Sequence, residues 1–397
     1  MTGPVLRPLE VAWTVPFGPA EGVDPLPRGR TGLRRAFEDV VRPALERGPC
    51  VVSFSGGRDS SVVLALAAHV ARREGLPLPI PLTHRFPGLP ESAEDAEQEL
   101  VVRHLGLTDW SRPTWDAEFD LTGPLARTVL ARHGVLPPFN LHFHEPVVEA
   151  AAGGSVLTGV GGDELFVPVR RSVPARVAAG RRALRVGEVP ALLASIATPD
   201  PVRAVKIAAT LPVGYPWLTP EGARSLRRAL AREAAAEPLS WSRSVRTRIW
   251  PGRRLQLHRG ALTALGRAHD VMVENPFCAG PVLAAAAGDL GAAGPRSRAR
   301  ELDALVGDLL PPAVLHRTGK ATFDGAFWTG AAREFVEGWD GRLPAEFDGI
   351  VDPEALHREW ARPRPDAHSF ALLQTVLLRT LAVTPPAPGP GGRPAGR

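Results

Sequence analysis

The chain has 397 residues, 44% hydrophobic and 22% charged, enough for a large buried core and unlike a disordered or collagen-like composition. No apolar run approaches the roughly 18 residues of a membrane span, residues 1–26 lack the features of a secretion signal, and two cysteines, Cys50 and Cys278, exclude a disulfide framework. The net charge of +5 is uneven, with 15 arginines and lysines against 21 acids in residues 1–169 but 18 against 5 in residues 170–259.

Residues 1–30 are rich in proline and glycine and read as an irregular lead-in. Residues 31–46 have helical spacing, with Thr31 as the expected N-cap. The apolar run 50–54 suits a buried parallel strand. A glycine-rich turn follows, and then residues 60–73 place Val62, Val63, Leu66, Ala67 and Val70 on one helical stripe. Pro77, Pro79 and Pro81 confine the next strand to residues 82–86. Residues 91–105 predict a helix with acids in its first turn and Gly106 beyond its end. Residues 155–158 form another strand, feeding a second glycine-rich turn.

Strands alternating with helices up to residue 169 predict a parallel α/β core over 31–169. Residues 170–383 are Ala-, Leu- and Arg-rich, with helical periodicity and no convincing strand, and predict a helical lobe. Residues 384–397 are a Pro/Gly-rich tail expected to be disordered. The basic block 170–259 lacks the interleaved aromatics of an RNA platform, so a solvated helical surface is the expectation. Neither nucleic acid nor membrane is the expected partner, and a cytoplasmic setting is.

Three features carry chemistry. Ser55-Gly56-Gly57-Arg58-Asp59-Ser60-Ser61 joins a strand to a helix, where glycines admit close backbone approach and a helix N-terminus favours anions. Ser55, Ser60 and Ser61 carry hydroxyls for phosphate oxygens, and Asp59 carries a carboxylate for Mg²⁺. An ordinary capped turn is the simpler reading of two adjacent glycines. The second feature, Thr158-Gly159-Val160-Gly161-Gly162-Asp163-Glu164-Leu165-Phe166, also follows a strand and offers Asp163 as a second carboxylate, although alone it reads as a turn capping a helix. The third is Lys320. The chain writes every cation but Lys206 and Lys320 as arginine, yet keeps a compact point charge beside Gly319, suited to pyrophosphate as it leaves.

Ser-Gly-Gly-x-Asp-Ser resembles the motif of the PP-loop ATP pyrophosphatases, which cleave ATP between the α and β phosphates. The pair of loops resembles the asparagine synthetase family, as do Glu274-Asn275-Pro276-Phe277 and the segment 310–324, in which Lys320 falls on the family's active-site lysine. The resemblance covers roughly residues 31–380. It implies a PP-loop (adenine nucleotide α-hydrolase-like) domain with a mostly helical C-terminal lobe. It also implies Asp59 and Asp163 as metal ligands, Gly159 lining the nucleotide pocket, and ATP and Mg²⁺ as cofactors. The implied partners are a small-molecule or peptide carboxylate and an amine donor. Three departures qualify it. Val160 stands where asparagine synthetases proper carry glutamate, the 274–277 segment is shortened, and Thr2 stands where glutamine-dependent members carry a catalytic cysteine. No glutamine hydrolysis by this chain is therefore expected, and a separate amidotransferase or a precursor peptide would supply the amine.

Related branches close rings with an internal amine. The β-lactam synthetases use a tyrosine–glutamate pair, and the only tyrosine here, Tyr215, lies outside any family motif. The run from Phe323 through Trp360 is similar to macrolactam-forming members, lasso-peptide cyclases among them. His142 and His144 alternate as a metal or base pair would, though no third ligand is evident and pocket-lining or loop histidines are the expectation. A PP-loop tRNA-modifying enzyme is the alternative of another class, and a catalytically silent partner subunit is a third.

Overall fold

Cys50, Val51 and Val52 are buried, as a central parallel strand covered on both faces requires. The computed structural model describes residues 5–29, 31–92, 94–167, 173–180, 182, 189–317 and 322–383. Its sheet is wholly parallel, with strands β1 (Cys50–Ser53), β2 (Ile80–Leu82), β3 (Ser155–Thr158) and β4 (Met272–Glu274) in the order β2-β1-β3-β4. Val51 faces Ile80 on one side and Val156 on the other, and Ser155 pairs with Met272. The fold is α/β, with a sheet flanked by a large helical share of the chain.

Helices α1 (Pro8–Ala12), α2 (Leu33–Glu46), α3 (Arg58–Glu74) and α4 (Asp95–His104) account for the first hundred residues. Every residue of α3 from Ser60 to Ala68 is buried, so this helix runs through the core rather than along its surface. Phe37, Val41 and Leu45 of α2 pack into the same cluster, with Leu283, Leu302 and Leu315 from far along the chain. A second cluster gathers Val11, Phe119, Trp217, Trp360 and Leu372. No helix among the described residues is long and apolar enough to cross a membrane.

Several expectations are corrected. The lead-in is not wholly irregular, because α1 lies within it and is anchored: Glu10, fully buried, pairs with Arg253 at 2.7 Å and accepts from Arg7 N at 2.8 Å. The cap of α2 is Gly32 rather than Thr31, and its free amide at Leu33 donates to Asp289, a partner 256 residues away. Helix α3 starts earlier than expected, at Arg58. β2 comes earlier than residues 82–86 and includes Pro81, which an edge strand tolerates. Beyond Leu82 the chain leaves the sheet, since Thr83 N and Arg85 N donate to Ser111 O and Pro113 O, both at 2.9 Å. α4 begins at Asp95 because Pro90–Ser92 forms a separate 3₁₀ turn. Finally, residues 170–383 are not free of strands. β4 extends the sheet, and its three residues are too few to show a period in sequence. The 384–397 tail lies outside the described residues.

Candidate functional site

The loops after β1 and β3 leave the carboxyl ends of neighbouring strands, which brings them to one place. A methyl group at Gly159 would lie 2.7 Å from Ser60 N, and one at Gly162 would lie 2.2 Å from the Asp59 carboxyl carbon. Glycine at both positions is what lets the second loop close onto the first.

Between them is a cavity of about 290 Å³, lined by Ser55, Gly57, Asp59 and Ser60 from the first loop and Gly159, Val160 and Asp163 from the second. Gly56 and Ser61 do not line it. The Ser61 hydroxyl, fully buried, donates to Gly57 O at 2.9 Å, and Gly56 O accepts from Arg317 at 3.0 Å. Ser60 donates to Gly57 O at 3.0 Å, and Ser55 Oγ accepts from Gly57 N at 3.2 Å, so both hydroxyls are oriented by the loop's own backbone. Lys320 lies outside the described residues.

Asp59 and Asp163 meet through one group. Arg298, the first residue of the helix Arg298–Val306, donates from one terminal nitrogen to Asp59 Oδ2 and from the other to Asp163 Oδ1. Asp59 Oδ1 is buried with no hydrogen-bond partner. Burial pushes the Asp59 carboxyl above its ordinary pKa, against the pull of the Arg298 guanidinium. A buried carboxylate oxygen without a donor, on a side chain that shares an arginine with a second carboxylate, is a place where a hard cation fits. Two carboxylates with phosphate oxygens and waters for the rest suit Mg²⁺, and among the described residues no cluster of three or more His, Cys, Asp or Glu could hold a metal alone.

Other segments hold these loops. Thr158 Oγ1 donates to Asn275 Oδ1 and accepts from Val160 N at 3.2 Å, which locks the entry to the second loop. Cys278 Sγ donates to Val160 O at 3.4 Å, and burial pushes this thiol up to about 12, so it stays protonated. Arg317 pairs with Glu94, and Gln98 Nε2 donates to Ser55 O at 3.0 Å. Glu94, Gln98, Arg298 and Arg317 were not singled out from sequence. Arg317 stood within the 310–324 motif, whereas Arg298 sits in an arginine-rich stretch with nothing to mark it.

The histidines behave as buried groups. His142 Nε2 donates to Phe119 O at 2.8 Å, and burial lowers its pKa to about 4. His84 Nε2 donates to Phe143 O at 3.1 Å while its Nδ1 accepts from Trp115 at 2.8 Å, and burial lowers it to about 3. His144 lines the cavity with Phe143 and Phe323, its Nδ1 buried without a partner, and burial lowers it to about 4. Tyr215 is elsewhere, packed with Trp13, Trp217 and His368, and no β-lactam-type tyrosine base stands in the cavity.

The chain has no match among curated proteins. The family model described as asparagine synthase matches residues 32–383. That span takes in both loops, the 274–277 segment and the 310–324 segment, and the chain belongs to the asparagine synthase family of ATP-dependent, amide-forming ligases.

Proposed function

We propose that the chain adenylates a carboxylate and passes the acyl group to an amine that its own glutamine hydrolysis does not supply. A carboxylate oxygen attacks the α-phosphorus of ATP, the bond to the bridging oxygen breaks, and pyrophosphate leaves toward the 55–61 loop. The amine nitrogen then attacks the acyl carbon, AMP departs, and one proton is released. The observation that carries this reading is the convergence of Asp59 and Asp163 on a single guanidinium at the mouth of the serine–glycine loop. Asp59 and Asp163 would hold Mg²⁺, which when bound neutralises the phosphate charge. Ser55, Ser60 and the loop amides orient the pyrophosphate end, and Lys320 stabilises the charge it gains.

The source of the amine is read from the cavity lining outside the two loops' serines and carboxylates. Val160 brings no acid–base group, and of the other lining side chains His144 is neutral and Glu94 is paired with Arg317. Phe143 and Phe323, with ring centroids 5.9 Å apart, add aromatic surface to the lining, which favours an apolar acyl or peptide chain over a small acidic substrate. A macrolactam closed within a precursor peptide is therefore the second reading. The tRNA reading gains no support from four arginines of the basic block. Arg203, Arg248, Arg253 and Arg254 are paired with Asp200, Glu233, Glu10 and Glu164, so they are engaged within the fold.

The test is pyrophosphate release from ATP with a panel of carboxylic acids, linear peptides included, comparing wild type with Lys320→Ala. Acid-dependent release that falls by about 10²–10³ in Lys320→Ala is expected. No acid-dependent release from the wild type would sink the synthetase reading for the acids tried, and RNA-stimulated turnover would favour the tRNA reading.

A further inference from the structure

A mostly buried carboxylate next to a second one is stabilised by a positive charge, with or without nucleotide. Arg298 supplies it here, one terminal nitrogen to each carboxylate, and its Nε is buried with no partner, so the fork is the side chain's polar anchorage. The neighbouring Arg317 is committed elsewhere, to Glu94 and to Gly56 O. Asp59 is 16% exposed and Asp163 58%, so Arg298 spans from the floor of the cavity to its mouth. It takes Asp59 Oδ2 and Asp163 Oδ1 and so stands between the two carboxylates that a divalent cation would bridge, while Asp59 Oδ1 keeps no partner. Its root is the first position of a helix, preceded by the loop residue Ser297, and from there the long side chain has only to turn to face phosphate in the same cavity.

We infer that Arg298 is a built-in stand-in cation, which keeps free divalent metal out of the Asp59–Asp163 pair and is released to bind pyrophosphate oxygens when metal and nucleotide arrive together. The inference rests on reading the cavity as the ATP site. Competition gives it its physical content. A guanidinium with charge +1 already holds one oxygen of each carboxylate, so a metal that bridges the pair alone must break two charge-assisted hydrogen bonds and leave Arg298 unpaired in a half-buried place. A metal arriving with a polyphosphate brings the anion that receives the freed fork, whose planar geometry matches phosphate oxygens. Metal and phosphate thus bind with positive coupling, and ion binding without nucleotide is suppressed.

Mn²⁺ titration of the whole chain, followed by electron paramagnetic resonance, tests this without any carboxylate substrate. Wild type is expected to bind Mn²⁺ weakly alone and at least about tenfold more tightly with inorganic pyrophosphate or α,β-methylene-ATP present, within the usual range of coupling between sites. Arg298→Met is expected to bind Mn²⁺ alone about tenfold more tightly than wild type and to lose most of the coupling to pyrophosphate. Arg298→Lys, which keeps a charge but not the fork, should fall between them and serves if the methionine variant does not fold. Equal Mn²⁺ affinity in wild type and a folded variant, or no coupling to pyrophosphate in the wild type, would overturn the inference. If the Mn²⁺ results hold while no carboxylate elicits pyrophosphate release, the stand-in role survives and the proposed reaction alone falls.

Discussion

Gly159 and Gly162 show how much of the site depends on missing atoms. The two carboxylates share one arginine only because the backbone of the second loop lies against Ser60 and Asp59. Gly159→Ala places a methyl 2.7 Å from Ser60 N, a contact backbone cannot relieve by a rotamer change, so the loops must part. The expected cost is about 1–3 kcal/mol of stability, with pyrophosphate release reduced tenfold or more because a small misplacement of reacting groups is expensive. Thermal unfolding and the release assay on one preparation check both. A variant that melts and turns over as the wild type does would show that the close approach is dispensable.

At the level of elements, the loops are held by connections distant in sequence. Asp120, fully buried, accepts from Thr122 N and Thr122 Oγ1 at 2.8 Å, and from Thr329 N at 2.8 Å and Thr329 Oγ1 at 2.7 Å. It ties the 119–123 segment to the start of the helix Gly330–Glu337, and with it the chain that follows the cavity-lining Phe323. Asp120→Ala leaves several buried donors without an acceptor, and about 3 kcal/mol or more is expected from urea unfolding. A loss below about 1 kcal/mol would mean that water replaces the carboxylate. The asparagine at 275 acts in the same way on the second loop, through Thr158, and neither tie could be read from spacing because the partners lie more than 100 residues apart.

For the whole molecule, the buried histidines set an acid limit. His84 and His142 are nearly inaccessible, and burial holds them near 3 and 4, whereas an unfolded histidine titrates near 6.5. Between those values the unfolded chain binds protons that the folded chain refuses, so stability rises with pH there. Their contribution is complete above about pH 6.5 and is lost as pH falls toward 4, which amounts to about 2 kcal/mol for each of the two at pH 5. A melting temperature that holds steady from pH 7.5 to pH 5 would contradict this.

Local chemistry sufficed for the parts whose signal is local. Cys50–Ser53 and Ser155–Thr158 are short apolar runs before glycine-rich turns, and α3 carries a continuous apolar stripe, so the α/β class and the positions of Asp59 and Asp163 were legible residue by residue. The family followed from motifs in which residue types and spacings recur together. What depended on distant partners was not legible. Gly32 caps α2 with help from Asp289, β2 departs toward Ser111, and β4 exists because Met272 N finds Gly154 O at 3.0 Å. The sequence by itself thus determined which two loops offer glycines, hydroxyls and carboxylates to one cavity, since those features act over a few residues. Only the tertiary structure decided that Arg298 joins the two carboxylates, because a guanidinium 239 residues from Asp59 reaches it only after the core has brought the helix Arg298–Val306 against α3.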